Sequence, residues 1–174
     1  MAERATGGEA ERLAALHDCR ILDTPDEPAF DRLTDWARGF FDVPIALVSL
    51  VDHDRLWCKS AAGLDVRELP RDITFCHHTV AQGAPLILED MADDPRFRDH
   101  PLVKGEPHFR FYAGVPLTSE AGHSLGSFCL LGHEPRNFNA AQLKLLSSLA
   151  EMASATIRLR LAALNAAGGA VELP

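Results

Sequence analysis

The sequence predicts an α+β domain built on a mostly antiparallel sheet, and three observations predict it. Strand-like runs come in neighbouring pairs joined by short polar turns, the pattern of hairpins. Segments with helical apolar spacing open and close the chain. One run, Ile45 to Val51 (IALVSLV), is apolar nearly throughout, as expected of a strand covered on both faces. With 174 residues the chain fits one domain with a real core.

In order, residues 1–8 are expected to be a disordered end. Glu9 to Cys19 reads as a short helix with Leu13 and Leu16 on one side. The run Asp23-Thr24-Pro25-Asp26-Glu27-Pro28 punctuates, with Thr24 or Asp26 as N-cap of a helix reaching Phe41. Phe30, Leu33, Ala37, Phe40 and Phe41 recur at helical spacing in it. After Pro44 comes the Ile45 strand, a turn at Asp52 to Arg55, and a hairpin partner from Leu56 to Ala62. Leu64 to Asp72 reads as loop. Thr74 caps a short helix ending at Gly83, and Pro85 to Glu89 is a short strand.

Asp90 to Pro107 is acidic and Pro-rich, with at most a helical turn near Phe97 and another near Val103. A segment this long in one domain is usually a binding loop or lid. Phe109 to Leu117 is a strand, with Phe109, Phe111, Ala113, Val115 and Leu117 on one side and Arg110 and Tyr112 on the other. Leu125 to Leu131 is its hairpin partner, where Gly126 permits a close neighbour. Asn139, answered by Gln142, caps a final helix to about Asn165. That helix is apolar on two sides and needs two partners. Residues 9–165 are thus one domain, and 166–174 are expected to be a flexible tail.

Composition narrows the function classes. Net charge is −8, which argues against duplex DNA or an anionic membrane surface as the main partner. No apolar run is long enough to span a bilayer, and Met1 to Glu11 has no apolar signal core, so a cytoplasmic protein is expected. Cys19, Cys58, Cys76 and Cys129 form no C-x-x-C pair, so four free thiols are expected.

The stretch Ile73 to Thr79 (ITFCHHT) draws attention because Cys76 falls in the first turn of its helix beside two imidazoles. A thiol there ionises more readily than a free one. The simpler reading is a small buried side chain under that helix. A zinc site would need His100 or His108 from the loop, since Cys76, His77 and His78 cannot all face one ion on a helix. Spacing of the usual metal-binding kind is absent, so no metal and no cofactor are predicted.

In order and combination the chain resembles a GAF domain. The residues that carry the resemblance are Ile21 to Pro25 (ILDTP), Ala29 to Leu33 (AFDRL), Pro44 to Asp52 (PIALVSLVD) and Arg55-Leu56-Trp57. It continues through Phe75, Cys76 and His78, Asp94 to Phe97 (DPRF), Phe109 to Gly114 (FRFYAG), and Pro135, Arg136 and Phe138. It covers about residues 10–160 and is nearest to the GAF modules of bacterial sensor histidine kinases and diguanylate cyclases. The resemblance implies a central antiparallel sheet with terminal helices on one face and a ligand pocket on the other. It also implies a homodimer through the first and last helices, with Leu13, Leu16, Leu146, Ala150, Ala153, Ile157, Leu161 and Leu164 in the interface. No kinase or cyclase segment fits into what remains, so the expectation is a stand-alone sensory module, or a piece that acts through a kinase or cyclase partner. Gly132-His133 stands where similar chains carry an acid, and Cys58 where an aromatic is common.

Within that family, free methionine sulfoxide reductases pair a cysteine near this helix with cysteines in the following loop. Here the segment from Asp90 to Phe109 has none, which counts against that activity for Cys76. The same lack counts against bilin attachment of the usual kind, although Cys76 lies near a second position that some bilin binders use. Haem through His77, His78 or His108 rests on isolated histidines only. Arg96 or Arg110 would suit a cyclic nucleotide phosphate, but internal pairs are the expected reading: Arg110 with Asp90 or Asp94, and Arg96 with Asp93 or Asp99. What remains is a small pocket. Phe75, Phe97, Phe111 and Tyr112 supply apolar wall, and Cys76, His77, Asp90, Arg96 and Arg110 supply polar groups. That mixture suits an unnamed small molecule, a redox event, or a filled core with no ligand.

Overall fold

The computed structural model of the chain describes residues 3–169. The elements run α1 (Glu3–Asp18), α2 (Pro28–Phe41), β1 (Ile45–Val51), β2 (Arg55–Ala62), β3 (Glu68–Pro70), α3 (Cys76–Gln82), β4 (Leu86–Leu88), α4 (Pro101–Lys104), β5 (Phe111–Thr118), β6 (Ser124–Gly132) and α5 (Ala140–Gly169). A turn of 3-10 helix, Arg71–Ile73, leads into α3. The strands form one six-stranded sheet in the order β3-β2-β1-β6-β5-β4, and every neighbouring pair is antiparallel. The two predicted hairpins, β1–β2 and β5–β6, are both present, and β1 joins them by pairing with β6 at the sheet centre.

Strand alternation splits the core into two layers. Ala46, Val48 and Leu50 of β1, Phe111, Ala113, Val115 and Leu117 of β5, and Phe128 and Leu130 of β6 face the helical layer. There they meet Leu16 of α1, Phe30, Ala37 and Phe41 of α2, and Leu146, Leu149, Ala150, Ala153 and Ile157 of α5. Ile45, Leu47 and Val51, Tyr112, and Cys129 and Leu131 face the other way. They are covered by Phe75, Cys76, Val80, Met91, Phe97, Val103 and Phe109. All of β1 is buried, as its sequence requires. Gly126 fits against β1 because a Cβ there would lie 1.9 Å from the Ser49 carbonyl oxygen.

Several boundaries differ from expectation. The predicted disordered end overlaps α1, which begins at Glu3, and α5 runs to Gly169 rather than to Asn165. Residues 1, 2 and 170–174 of the two expected loose ends lie outside the described residues. Neither Thr24 nor Asp26 caps α2; Glu27 is the flanking residue and Pro28 opens the helix. Thr24 is occupied elsewhere. Its hydroxyl donates to the Ile21 carbonyl at 2.6 Å and accepts from the buried Lys59 ammonium at 2.8 Å, which also donates to the Pro25 carbonyl at 2.7 Å. The Asp23 carboxylate takes two hydrogen bonds from Arg55, at 2.8 and 2.7 Å. The ILDTP stretch is therefore a fastening of the α1–α2 link to β2.

The capping box of α5 is as predicted: the Gln142 N–H donates to Asn139 Oδ1 and the Asn139 N–H donates to Gln142 Oε1, each at 2.9 Å. Strand β3 was not expected; three residues ending in proline carry little strand signal. Phe109 was expected beside Phe111 but lies in the opposite layer. The Phe109 N–H donates to the Leu102 carbonyl at 2.9 Å, and β5 enters the ladder only at Phe111, so strand alternation does not extend back to it.

The expected dimer residues divide into two groups. Leu16, Leu146, Ala150, Ala153 and Ile157 are buried inside a single chain and hold the helical layer to the sheet. Their apolar row reports that packing and leaves nothing free for a second copy. Leu13 and Leu161 are half-buried and Leu164 is exposed. The outward apolar face of α5 carries Met152 and Leu159 instead, 54% and 71% exposed.

Candidate functional site

The face that α3 covers buries a cluster of thiols and hydroxyls: Cys58, Cys76 and Cys129 with Ser49, Thr79, Ser127 and Tyr112. Thr74 does not cap α3. Its hydroxyl donates to the Arg71 carbonyl at 2.8 Å, closing the 3-10 turn, and Phe75 is the residue flanking the helix. Cys76 is then the first residue of α3 and points down onto the sheet. Its Sγ lies 3.5 Å from Sγ of Cys129 on β6. Cys58 of β2 joins the same apolar cluster. Around the thiols sit Ser49 and Ser127, whose hydroxyls are 3.3 Å apart, and Tyr112, whose phenol is 2.7 Å from the Thr79 hydroxyl. All these side chains are buried.

The two facing thiols are electrically unequal. A negative charge on Cys76 is favoured by hydrogen bonding from Cys129, Ser127, Ser49 and Tyr112, in that order of weight apart from the opposing cost of burial, and its thiol is shifted down. Cys129 is shifted up, because it gives its hydrogen bond to Cys76 and is buried. Burial pushes Cys58 up to about 12 and also raises the Tyr112 phenol.

An aromatic lid closes over this layer. The Phe75 ring meets Phe97 at 5.9 Å, His100 at 4.7 Å, Phe109 at 6.4 Å and Tyr112 at 5.7 Å between centroids. His78 stands edge-on to Phe97 at 4.9 Å and lies 3.9 Å from the His77 ring. His77 is held by a 2.7 Å contact between Nδ1 and the Thr74 carbonyl, which places the proton on Nδ1. Burial, then the neighbouring His77, His100 and Arg96, lowers His78 to about 4. His100 is also shifted down, by burial and by His77.

The base of the lid is an ion pair. Arg110 donates to both carboxylate oxygens of Asp90, at 2.7 and 2.6 Å, as the first of the two expected pairings has it. The Met91 N–H donates to the Arg110 carbonyl at 2.6 Å and the Ala92 N–H to Asp90 Oδ1 at 3.0 Å, so both ends of the lid are tied together. The guanidinium beside it holds Asp90 below the usual carboxylate range. Arg96 pairs with Asp94, at 3.1 and 2.8 Å, and not with Asp93 or Asp99. Adjacency explains the choice: Asp94 also accepts the Arg96 N–H in a local turn.

Of the nine residues expected at one pocket, Phe75, Cys76, Phe97 and Tyr112 come together as a packed layer, with His77 at its edge and Asp90 and Arg110 at its base. Arg96 lies on the outside, its side chain 59% exposed. Phe111 does not join them: it is on the helical side of the sheet, its ring tilted against Phe138 at 5.6 Å and lying under Arg136. A cleft of about 490 Å³ opens beside Phe111, lined by Asp42, Val43, Pro44 and the Gly132 to Arg136 turn. Among the described residues no group of three or more His, Cys, Asp or Glu is placed to hold a metal ion.

The residue that sequence reasoning missed is Cys129. Its signal was present: Ser127 and Cys129 alternate with Phe128 and Leu130, so one face of an apolar strand carries small polar groups. What the sequence did not disclose is that α3 crosses β6 at that point.

A family model described as GAF domain matches residues 26–157. A cyclic di-GMP phosphodiesterase of Pseudomonas aeruginosa is 40% identical over 128 residues, which is 74% of this chain and 22% of that protein. The chain thus spans about a fifth of the length of this curated relative. Among solved structures, the GAF domain of an Acinetobacter phosphoenolpyruvate-protein phosphotransferase superposes with a TM-score of 0.66 at 17% identity, covering 93% of this chain and 97% of that one. A free methionine-R-sulfoxide reductase of Neisseria meningitidis, solved with its substrate, superposes with a TM-score of 0.60 at 22% identity, covering 86% of each. At these identities the likeness is one of fold. No helix among the described residues is long and apolar enough to cross a membrane.

Proposed function

The chain belongs to the GAF domain family, and from that membership we propose that it is a non-enzymatic regulatory module controlling proteins that turn over cyclic di-GMP. The 40% identity to a cyclic di-GMP phosphodiesterase supports the choice of output. The sequence alone pointed to a kinase or cyclase partner; a phosphodiesterase of the same second messenger is the nearer reading.

The observation that carries the proposal is the division of labour across the sheet. Its input face is α3 with the lid from Glu89 to Arg110, including Phe75, Cys76, His77, Asp90, Phe97, Arg110 and Tyr112. Its output face is α1, α2 and α5, and β6 belongs to both, with Cys129 on one side and Phe128 and Leu130 on the other. The input is a small molecule that displaces the lid, or a chemical change beneath it. A signal passes only if the input favours one arrangement of the output helices over another. Output runs through a homodimer seated on the outward residues Met152, Leu159 and Leu164 of α5.

The test is made in a bacterium carrying a cyclic di-GMP reporter. Expression of the chain is expected to shift the reporter, and the Met152→Glu/Leu159→Glu double variant to abolish the shift and to scatter light as a monomer. A folded, well-expressed chain that leaves the reporter unmoved overturns the regulatory reading. A second reading, a thiol-dependent reductase acting on free methionine sulfoxide, is favoured by the Cys76–Cys129 pair, which supplies the second thiol that the lid lacks. Burial of both thiols argues against it, since a substrate must reach the nucleophile. Turnover of methionine sulfoxide that is lost in Cys76→Ser would establish that reading instead.

A further inference from the structure

We propose that Cys76 and Cys129 form a reversible disulfide when the protein meets a hydroperoxide, which makes this pair an oxidative modification site on the input face. The inference rests on the reading of that face as the input side.

Geometry comes first. The two sulfurs are 3.5 Å apart, and a disulfide needs about 2.05 Å, so closure asks for a shift of about 1.5 Å. Cys129 is fixed in the central part of the sheet, opposite Leu47 of β1 on one side and Gly114 of β5 on the other. Cys76 opens a helix of 7 residues that is joined to the sheet through a turn and a loop. The moving partner is therefore α3. Neither thiol is engaged by a metal cluster among the described residues. Among the described residues Cys58 and Cys19 have no such partner: Cys58 lies on β2 with no thiol hydrogen-bonded to it, and Cys19 belongs to the helical layer.

Chemistry assigns the roles. The Cys76 thiolate is the better stabilised of the two, held by the donors around it. When the short α3 and the lid open locally, hydrogen peroxide, a molecule far smaller than methionine sulfoxide, reaches the otherwise buried sulfur, and the thiolate attacks one of its oxygens. The O–O bond breaks, the alcohol or water leaves, and Cys76 becomes a sulfenic acid. The Cys129 thiol then attacks that sulfur, the S–S bond forms, and the sulfenic oxygen leaves as water with the Cys129 proton. Two thiols lose two electrons and two protons; the hydroperoxide gains them. A thiol reductant reverses the step by exchange. Closure draws Cys76 onto β6, and Phe75 beside it makes ring contacts with Phe97, His100 and Phe109 of the lid, so the bond is transmitted to the lid.

The 174-residue chain is incubated with hydrogen peroxide, folded and in urea, then denatured, alkylated and mapped by mass spectrometry. In the folded protein two of the four thiols are expected to escape alkylation, recovered as one cross-linked Cys76–Cys129 peptide that dithiothreitol splits. Cys76→Ser and Cys129→Ser are each expected to lose the cross-link, and Cys58→Ser to keep it. A cross-link seen only in urea, one through Cys58, or stepwise oxygen addition at Cys76 without a cross-link overturns the proposal, as does full alkylation of the folded protein. This readout is independent of signalling. A disulfide that forms while the cyclic di-GMP reporter stays silent sinks the regulatory reading alone; a responsive reporter without a disulfide sinks only this site.

Discussion

The two faces of the sheet are both closed by apolar side chains, yet they are built differently. On one, three helices of 14 to 30 residues lay aliphatic and aromatic groups on the sheet, with Cys19 the one thiol among the buried residues there. On the other, helices of 7 and 4 residues and a long lid press a layer of rings and thiols onto it, with Cys58, Cys76 and Cys129 inside. Long helices unfold with the whole domain, whereas short elements joined by turns open locally at lower cost. The difference separates a face that holds shape from a face that can register an event.

The same substitution on each face tests this most severely. Phe128→Ala, on the helical side of β6, is expected to cost about 5 kcal/mol, the top of the range for this change, because α5 and the sheet are too rigid to close the cavity. Urea unfolding measures it. Phe75→Ala is expected to cost nearer 3 kcal/mol, the bottom of that range, because the lid can settle into the space. Hydrogen exchange should then quicken in residues 76–110 while α5 stays protected. Uniform loss of protection across both faces would erase the contrast.

A smaller effect concerns pH. His78 is lowered to about 4 from an ordinary 6.5, so the unfolded or opened state binds a proton first. The lid is therefore expected to be fully stable above pH 6.5 and to weaken as pH falls from 6.5 toward 4, whereas the helical face, where Glu9 is lowered from 4.5 to about 2, weakens only below about pH 4.5. Exchange rates of lid amides against pH measure this, and His78→Gln should flatten the profile. A slope that survives the change would assign it to His100, which burial also shifts down. Smallest of all is Arg96→Ala. Its pair with Asp94 is local and exposed, so melting is expected to move by less than about 0.5 kcal/mol. A larger loss would mean that the Arg96 side chain helps to hold the lid in place.

The same contrast explains what the sequence disclosed. The helical face was legible because its signals are periodic: the Leu146, Ala150, Ala153 and Ile157 row and the alternation in β5 both report burial directly. Burial, however, does not say against what: the row suggests contact with a second copy, yet it packs on its own sheet. The lid side was legible in composition but not in arrangement. Phe75, Cys76, Phe97 and Tyr112 were found together, yet Phe111 was placed with them although it sits across the sheet. Strand period decides that question, and the pocket grouping ignored it. The neighbour of Cys76 was out of reach for another reason: the crossing of α3 over β6 joins positions far apart in the chain, and no local pattern encodes it.

The pairing of β1 with β6 reaches beyond architecture. The two central strands come from opposite ends of the domain, with β2 through β5 lying between them in the chain. During synthesis the β1–β2 hairpin emerges early, one edge of β1 exposing apolar side chains and unpaired amides until β6 arrives. Contacts of such long sequence separation slow folding, because the chain must close a large loop before they reward it. A nascent chain held short of β6 is accordingly a sticky edge and a target for chaperones, and no N-terminal fragment ending before β6 is expected to fold alone.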